Sequence, residues 1–221
     1  MREWQVGDPI GDGNDIGVPD VRYMDYLKNR DDDDAPVRKS NVKHADIKKS
    51  RMYQDEAWKL NEENKFYDAL TFIDAAINHN PNDEDNWNIK ALILWGIFRE
   101  NDKDVAFEAY GCFNKALGLN PYNKTIKRNK AKFLTEWAVY LVTSDDLDEA
   151  MKRANEALSI FEDKTLYEYG IALDVKATIF RINEEYGEAL KYFDKALEVL
   201  PGDEFIQKGR ESVLEKMNGS L

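Results

Sequence analysis

The stretch "GDGNDIGVPD", residues 11–20, sets oxygen ligands and glycines side by side. As a calcium loop starting at Asp12, it has Asn14 and Gly17 where an oxygen ligand and a sharp turn belong. Ile16 stands where another ligand is needed, and Tyr23 where the closing carboxylate is needed, so the scheme fails. As a phosphate cradle, Gly11, Gly13 and Gly17 are wrongly spaced, and no strand pattern precedes them. Cys112 is the single cysteine, and its neighbour Phe113 marks it as semi-buried filler rather than a nucleophile. His44 falls on a basic surface and His79 in the turn "NHNPND", where both read as solvated. No Ser/His/Asp or Cys/His arrangement can be assembled, and the carboxylates fall at helical spacing on polar faces. The sequence therefore nominates no catalytic residue, no cofactor and no metal site. The chemistry left to it is non-covalent recognition.

Charge narrows what is recognised. Lys and Arg number 31 against 43 Asp and Glu, a net charge of −12. Nucleic acid, which needs clustered cations on its phosphates, is excluded as a general partner. An anionic membrane surface is excluded for the same reason. No apolar run reaches the roughly 18 residues of a bilayer span. The opening "MREWQVGDPIGDG" has no apolar segment of signal-peptide length, so the expected location is the cytoplasm.

The elements that must position a recognition surface show as a repeat. "KFYDALTFIDAAINHNPND", "AFEAYGCFNKALGLNPYN" and "EYGEALKYFDKALEVLPGDE" are variants of one phrase, and "DDLDEAMKRANEAL" is a fourth. Their alanines Ala69, Ala109, Ala150 and Ala189 stand 40, 41 and 39 residues apart. Seven residues later come Ala76, Ala116, Ala157 and Ala196; upstream lie Ala57, Ala91, Ala131 and Ala177. Two antiparallel helices can nest closely only where side chains are small, and these twelve positions supply that. Larger apolar residues flank them at helical spacing: Tyr53 and Leu60, Trp87 and Leu94, Leu173 and Phe180 on first helices; Phe66 and Ile73, Phe113, Tyr186 and Phe193 on second helices. Pro81, Pro121 and Pro201 end three of the second helices, and Glu162 takes that place in the third unit.

This pattern of alanine triplets, aromatic openings and closing prolines resembles the tetratricopeptide repeat family over roughly residues 50–203. The resemblance implies an all-α fold: a right-handed superhelical solenoid of four helix-turn-helix repeats (about 50–83, 84–123, 124–164 and 170–203) within residues 41–203. Residues 204–221 supply a capping helix and tail, with Ile206, Val213 and Met217 facing inward and Glu211 where a further repeat would need alanine. Residues 1–40 form an acidic, Gly/Asp/Pro-rich tail, disordered or docked on the body, before a helix cap at Asn41. Units two and three carry six and seven extra residues between first-helix and second-helix alanines, which predicts longer hairpins with both helices extended.

The family's usual binding surface is the concave groove lined by first helices. In this register the inner row is Gln54, Trp58 and Glu62; Asn88, Leu92 and Trp95; Arg128, Asn129 and Lys132; Asp174, Thr178 and Arg181. Trp58 and Trp95 either anchor a partner or pack between hairpins. Arg128, Lys132 and Arg181 give the row a positive middle, suited to an acidic segment, although Arg128 and Lys132 can also pair with Glu136 along the helix. The clamp by which some family members hold an acidic chaperone tail is not matched, because Gln54 and Trp58 occupy the places of its lysine and asparagine. The resulting expectation is a monomeric, non-catalytic adaptor that binds an extended peptide or helix of another protein. The alternative is an accessory or self-assembling structural subunit using the outer face or an edge.

Overall fold

The computed structural model describes residues 44–218. The expected N-terminal tail, the Asn41 cap and the Asp12 loop lie outside them. Nine helices follow: α1 His44–Glu62, α2 Phe66–His79, α3 Glu84–Arg99, α4 Ala106–Leu119, α5 Lys124–Thr143, α6 Leu147–Ile160, α7 Tyr167–Ile182, α8 Tyr186–Val199 and α9 Glu204–Asn218. No strand occurs among the described residues. All twelve repeat alanines are 0% exposed. Their methyls are the contact points at which helices close, and a branched side chain at any of them would force the pair apart.

The helix ends follow from local chemistry. Asn64, Asn101, Asp145 and Glu184 each follow a first helix with a left-handed backbone, φ 57°, 83°, 63° and 63°. The N–H of the next residue in each case, Lys65, Asp102, Asp146 and Glu185, then donates back to Leu60, Ile97, Leu141 and Phe180. That is the pairing by which a helix terminates in a left-handed residue. Second helices end with the N–H of Asn80, Asn120, Phe161 and Leu200 donating to the carbonyls of Ala76, Ala116, Ala157 and Ala196. Two residues beyond each closing proline sits a cap for the next first helix. The Asp83 carboxylate accepts from Asp85 N–H at 3.0 Å, the Asn123 side chain from Ile126 N–H at 3.1 Å, and Asp203 from Phe205 and Ile206 N–H at 2.9 and 3.1 Å.

The extra residues of units two and three do not lengthen both helices. All four second helices are 14 residues long. In unit two much of the insertion goes into the connection, which contains a 3-10 turn at Lys103–Val105. In unit three the first helix alone grows, to 20 residues, because Trp137, Ala138 and Leu141 continue its buried stripe.

The chain divides into two compact units that meet in sequence inside α5, at Asn129 and Lys130. In the first, α1 packs on α2, α3 on α4, and α3 also on α2 and α1. A buried polar network ties three of these helices. Ser50 Oγ donates to the Ala76 carbonyl at 2.9 Å, Asn86 Nδ2 to Ser50 Oγ at 3.0 Å and to the Asn80 carbonyl at 3.1 Å, and Gln54 Nε2 to Asn86 Oδ1 at 2.9 Å. Lys90 bridges Asp74 at 2.8 Å and Glu108 at 2.9 Å. Burial works against its charge, yet the two carboxylates carry its pKa up to about 12.

In the second unit α7 packs on α6 and α8, and α9 closes α8. Leu173, Ala177, Ala189, Phe193, Ala196, Ile206 and Val213 form its core. Gly209 lets α9 approach, since a methyl there would sit 2.7 Å from the Phe193 ring. Met217 does not face inward: it is 41% exposed, one turn past the last core contact at Val213.

Candidate functional site

The first unit buries most of its share of the inner row. Trp58, Asn88, Leu92, Trp95 and Asn129 are all buried. Trp58 Nε1 donates to Glu62 Oε1 at 2.9 Å, Gln54 is held by Asn86, and Asn129 Nδ2 donates to Asn88 Oδ1 at 3.4 Å. The Arg99 guanidinium lies 4.6 Å from the centre of the Trp95 ring. Gln54 and Trp58 thus have partners within the chain. Arg128 is exposed.

His79 is half-buried rather than solvated. Its ring stacks on Tyr53 at 5.6 Å, with Asp46 3.6 Å away. Cys112 is buried, and that burial pushes its thiol up to about 12. Among the described residues no three His, Cys, Asp or Glu side chains gather as metal ligands do.

The second unit presents a different surface. Lys132 does not pair along its own helix with Glu136; its ammonium meets Glu168 at 2.5 Å. Lys130 meets Glu156 at 2.5 Å in the same way. Both cations on this stretch of α5 are therefore neutralised by carboxylates of the same unit.

Beyond them α5 and α7 form a small, open cleft, lined by Val139, Val142 and Thr143 from α5 and by Asp174, Val175 and Thr178 from α7. Asp174 is 5% exposed and Thr178 9%. Neither side chain makes a hydrogen bond among the described residues. One turn further along α7, Arg181 Nε is buried and also without a partner among them. Positions 174, 178 and 181 share one helix face. Burial, with Asp203 nearby, pushes the Asp174 carboxyl up to about 7 against the opposing pull of Arg181. Burial likewise holds Tyr167 up at about 12, helped by the carboxylates of Asp203, Asp174 and Glu168. Asp174, Thr178 and Arg181 carry the alanine-based register of the inner row. The cleft itself depends on Val139 and Val142, in the part of α5 that sequence spacing had divided between two helices.

Paired helices with methyl contacts, a left-handed turn residue in each hairpin and a Pro-x-Asp/Asn junction define a helical-repeat protein. Its fold is that of the tetratricopeptide repeat proteins. A PilF structure from Pseudomonas aeruginosa is 18% identical, covering 79% of this chain and 72% of that one with a TM-score of 0.50. MamA residues 41 to the end, from Desulfovibrio magneticus RS-1, are 14% identical, covering 77% and 92% with a TM-score of 0.52. A further MamA structure is 13% identical, covering 77% and 84% with a TM-score of 0.55. No protein-family model and no curated protein matches the sequence. No helix among the described residues is long and apolar enough to cross a membrane.

Proposed function

We propose that this protein is a non-catalytic adaptor, acting as a monomer, whose first helices bind a peptide or helical segment of another protein. The observation that carries this is the face shared by α5 and α7. It lies between the first helices of repeats three and four and sets the valines of α5 and α7 beside Asp174 and Thr178, and one turn further along α7 the buried Nε of Arg181 has no partner among the described residues. Leaving such a donor unmet costs about 1–3 kcal/mol, and a bound segment that meets it recovers it. Gln54, Trp58, Asn88, Leu92, Trp95, Arg128 and Asn129 of the first unit, and Lys132 of the second, serve mainly to shape the inner helices. An extended segment adding hydrogen bonds to Thr178 and Arg181 is the simplest ligand for the row.

The test is to pan displayed random peptides over the full chain and then follow amide hydrogen exchange with an enriched peptide bound. Slowed exchange in α5 and α7 is the expected result. Slowing confined to second helices, or no peptide at all, would overturn the proposal. The second outcome class has its own observation: Tyr67 and Phe107, each second in its second helix, are both 64% exposed. Self-assembly through such an outer face would appear in sedimentation as a defined oligomer.

A further inference from the structure

We infer that the α7–α8 hairpin carries a binding site for one phosphoryl dianion, built on Tyr192 of α8 with Lys176 of α7 and Lys195 of α8 as its cations. The site goes beyond the adaptor reading, since none of these three residues lines the α5–α7 cleft. The ring of Tyr192 is half-buried and packs against the core of the second unit. It stacks on Phe180 of α7, with ring centres 5.4 Å and planes 20° apart. Lys176 stands one turn before Phe180, and its ammonium donates to the phenol oxygen at 3.1 Å. Stacking and hydrogen bond together hold the phenol in place.

The groups around this ring lack an anion. The ammoniums of Lys176, Lys195 and Lys191 lie 4.4, 5.0 and 5.8 Å from its centre. Lys191 has the Glu188 carboxylate at 3.0 Å. Lys176 and Lys195 have no carboxylate partner among the described residues, on a chain where 43 acidic side chains outnumber 31 basic ones. Lys176 is half-buried, a cation partly out of water with only a phenol oxygen to meet it. That oxygen accepts from Lys176, and its own proton has no acceptor among the described residues. The hydrogen bond from Lys176 holds the phenol below its ordinary 10.0 against the effect of burial, and the charges of Lys176, Lys195 and Lys191 add to the pull. A positive field therefore stands at the phenol uncancelled by the chain's own carboxylates.

Charge and donor count select the ligand. Lys191 and Glu188 cancel, which leaves the charges of Lys176 and Lys195. A phosphoryl monoester carries about −1.5 to −2 at pH 7 and three acceptor oxygens. Those oxygens match the two unpaired ammoniums and the phenol O–H, whereas a lone carboxylate leaves one cation unmatched. Lys195 is exposed, so its stem is free to bring the ammonium to an anion at the phenol. Nucleic acid is not served, because it needs many such contacts and the chain as a whole carries −12. A phosphorylated side chain of a partner and free phosphate offer the same group.

The probes are inorganic phosphate and N-acetyl-phosphoserine amide, with acetate as the control, titrated into the full chain at constant ionic strength and slightly alkaline pH. The readout is the Tyr192 ring signal in NMR spectra of tyrosine-labelled protein, identified by its loss in Tyr192→Phe. Saturable movement with either phosphoryl probe is expected, with acetate about fivefold weaker or more. Tighter binding of the phosphoserine amide supports a phosphorylated partner as the source, and tighter binding of inorganic phosphate supports the free ion. The double variant Lys176→Gln/Lys195→Gln should bind about tenfold more weakly, the loss of about one charge-assisted hydrogen bond or more. No saturable movement, acetate binding as tightly as phosphate, or an unchanged affinity in the double variant would each overturn the inference. If the double variant does not fold, Lys195→Gln alone, at an exposed position, still decides: about threefold weaker binding is expected, and no change overturns the site.

Discussion

Replacing Asp174 with asparagine should make the protein more stable, and increasingly so as pH rises. In the unfolded chain this carboxyl titrates near its ordinary 3.8; folded, burial and Asp203 raise it to about 7. A raised carboxylate pKa means the folded state holds a proton the unfolded state has lost, so stability falls with pH between those values and is level above them. Each pH unit is worth about 1.4 kcal/mol. The interval from 3.8 to about 7 covers roughly three such units, or about 4 kcal/mol at most. Asparagine keeps the shape of the side chain and does not titrate. Measured by urea unfolding, the advantage of Asp174→Asn should therefore grow by about 2 kcal/mol from pH 5.5 to pH 8 and then hold steady. That range stays clear of the sequence pI near 4.8. A difference independent of pH would refute the reasoning, as would a variant less stable at pH 8. Either would mean that the native carboxylate is ionised and already satisfied.

Three further outcomes follow from the packing. Asn86→Ala removes the donor to Ser50 Oγ and the Asn80 carbonyl and leaves the Gln54 amide without its acceptor; a loss of about 2–3 kcal/mol is expected by denaturant titration, with less than 0.5 counting against the network. Glu184→Gly relieves a side chain from a left-handed backbone of φ 63° and should raise stability by up to about 1 kcal/mol, read as an increased Tm, whereas a lowered Tm would sink the assignment of strain to that turn. Cys112, buried with its thiol held up at about 12, should resist alkylation at pH 8 until the protein unfolds; modification of the native chain at the rate of a free thiol would contradict its placement.

The helices were legible because one constraint acts at short range and leaves little choice. A methyl at Ala76 or Ala177 marks where a neighbour must come close, and no larger residue can hold the place. Prolines at 81, 121 and 201, with Asp or Asn two residues on, mark junctions by equally local chemistry. Burial of the inner row was not legible. Trp58 and Asn88 occupy the same register whether a partner covers them or the chain does, and the deciding contacts come from residues distant in sequence. Lys132 shows this sharply: Glu136 is one turn away, but Glu168 on another helix takes the ammonium. The fate of the inserted residues was also hidden. "EWAVYLVT" suits a longer first helix as well as a shared extension, and only the burial of Trp137 and Leu141 decides between them.

That decision bears directly on the site. α7 ends five residues after Ala177, whereas α5 runs on twelve residues after Ala131. Val139, Val142 and Thr143 all lie in the added length, so a first helix of the α7 type would end before any of them. The α5 wall of the cleft is therefore a product of the insertion that sets this chain apart from the regular repeat. Asp174 and Thr178 supply the other wall at ordinary inner-row positions. In a repeat of standard length these two groups would open directly to water and be hydrated. Walled by two valines of α5, they are largely buried, and that burial raises the Asp174 carboxyl. A departure from the repeat period thus does more than lengthen a hairpin: it sets an apolar wall against two ordinary polar positions of the inner row.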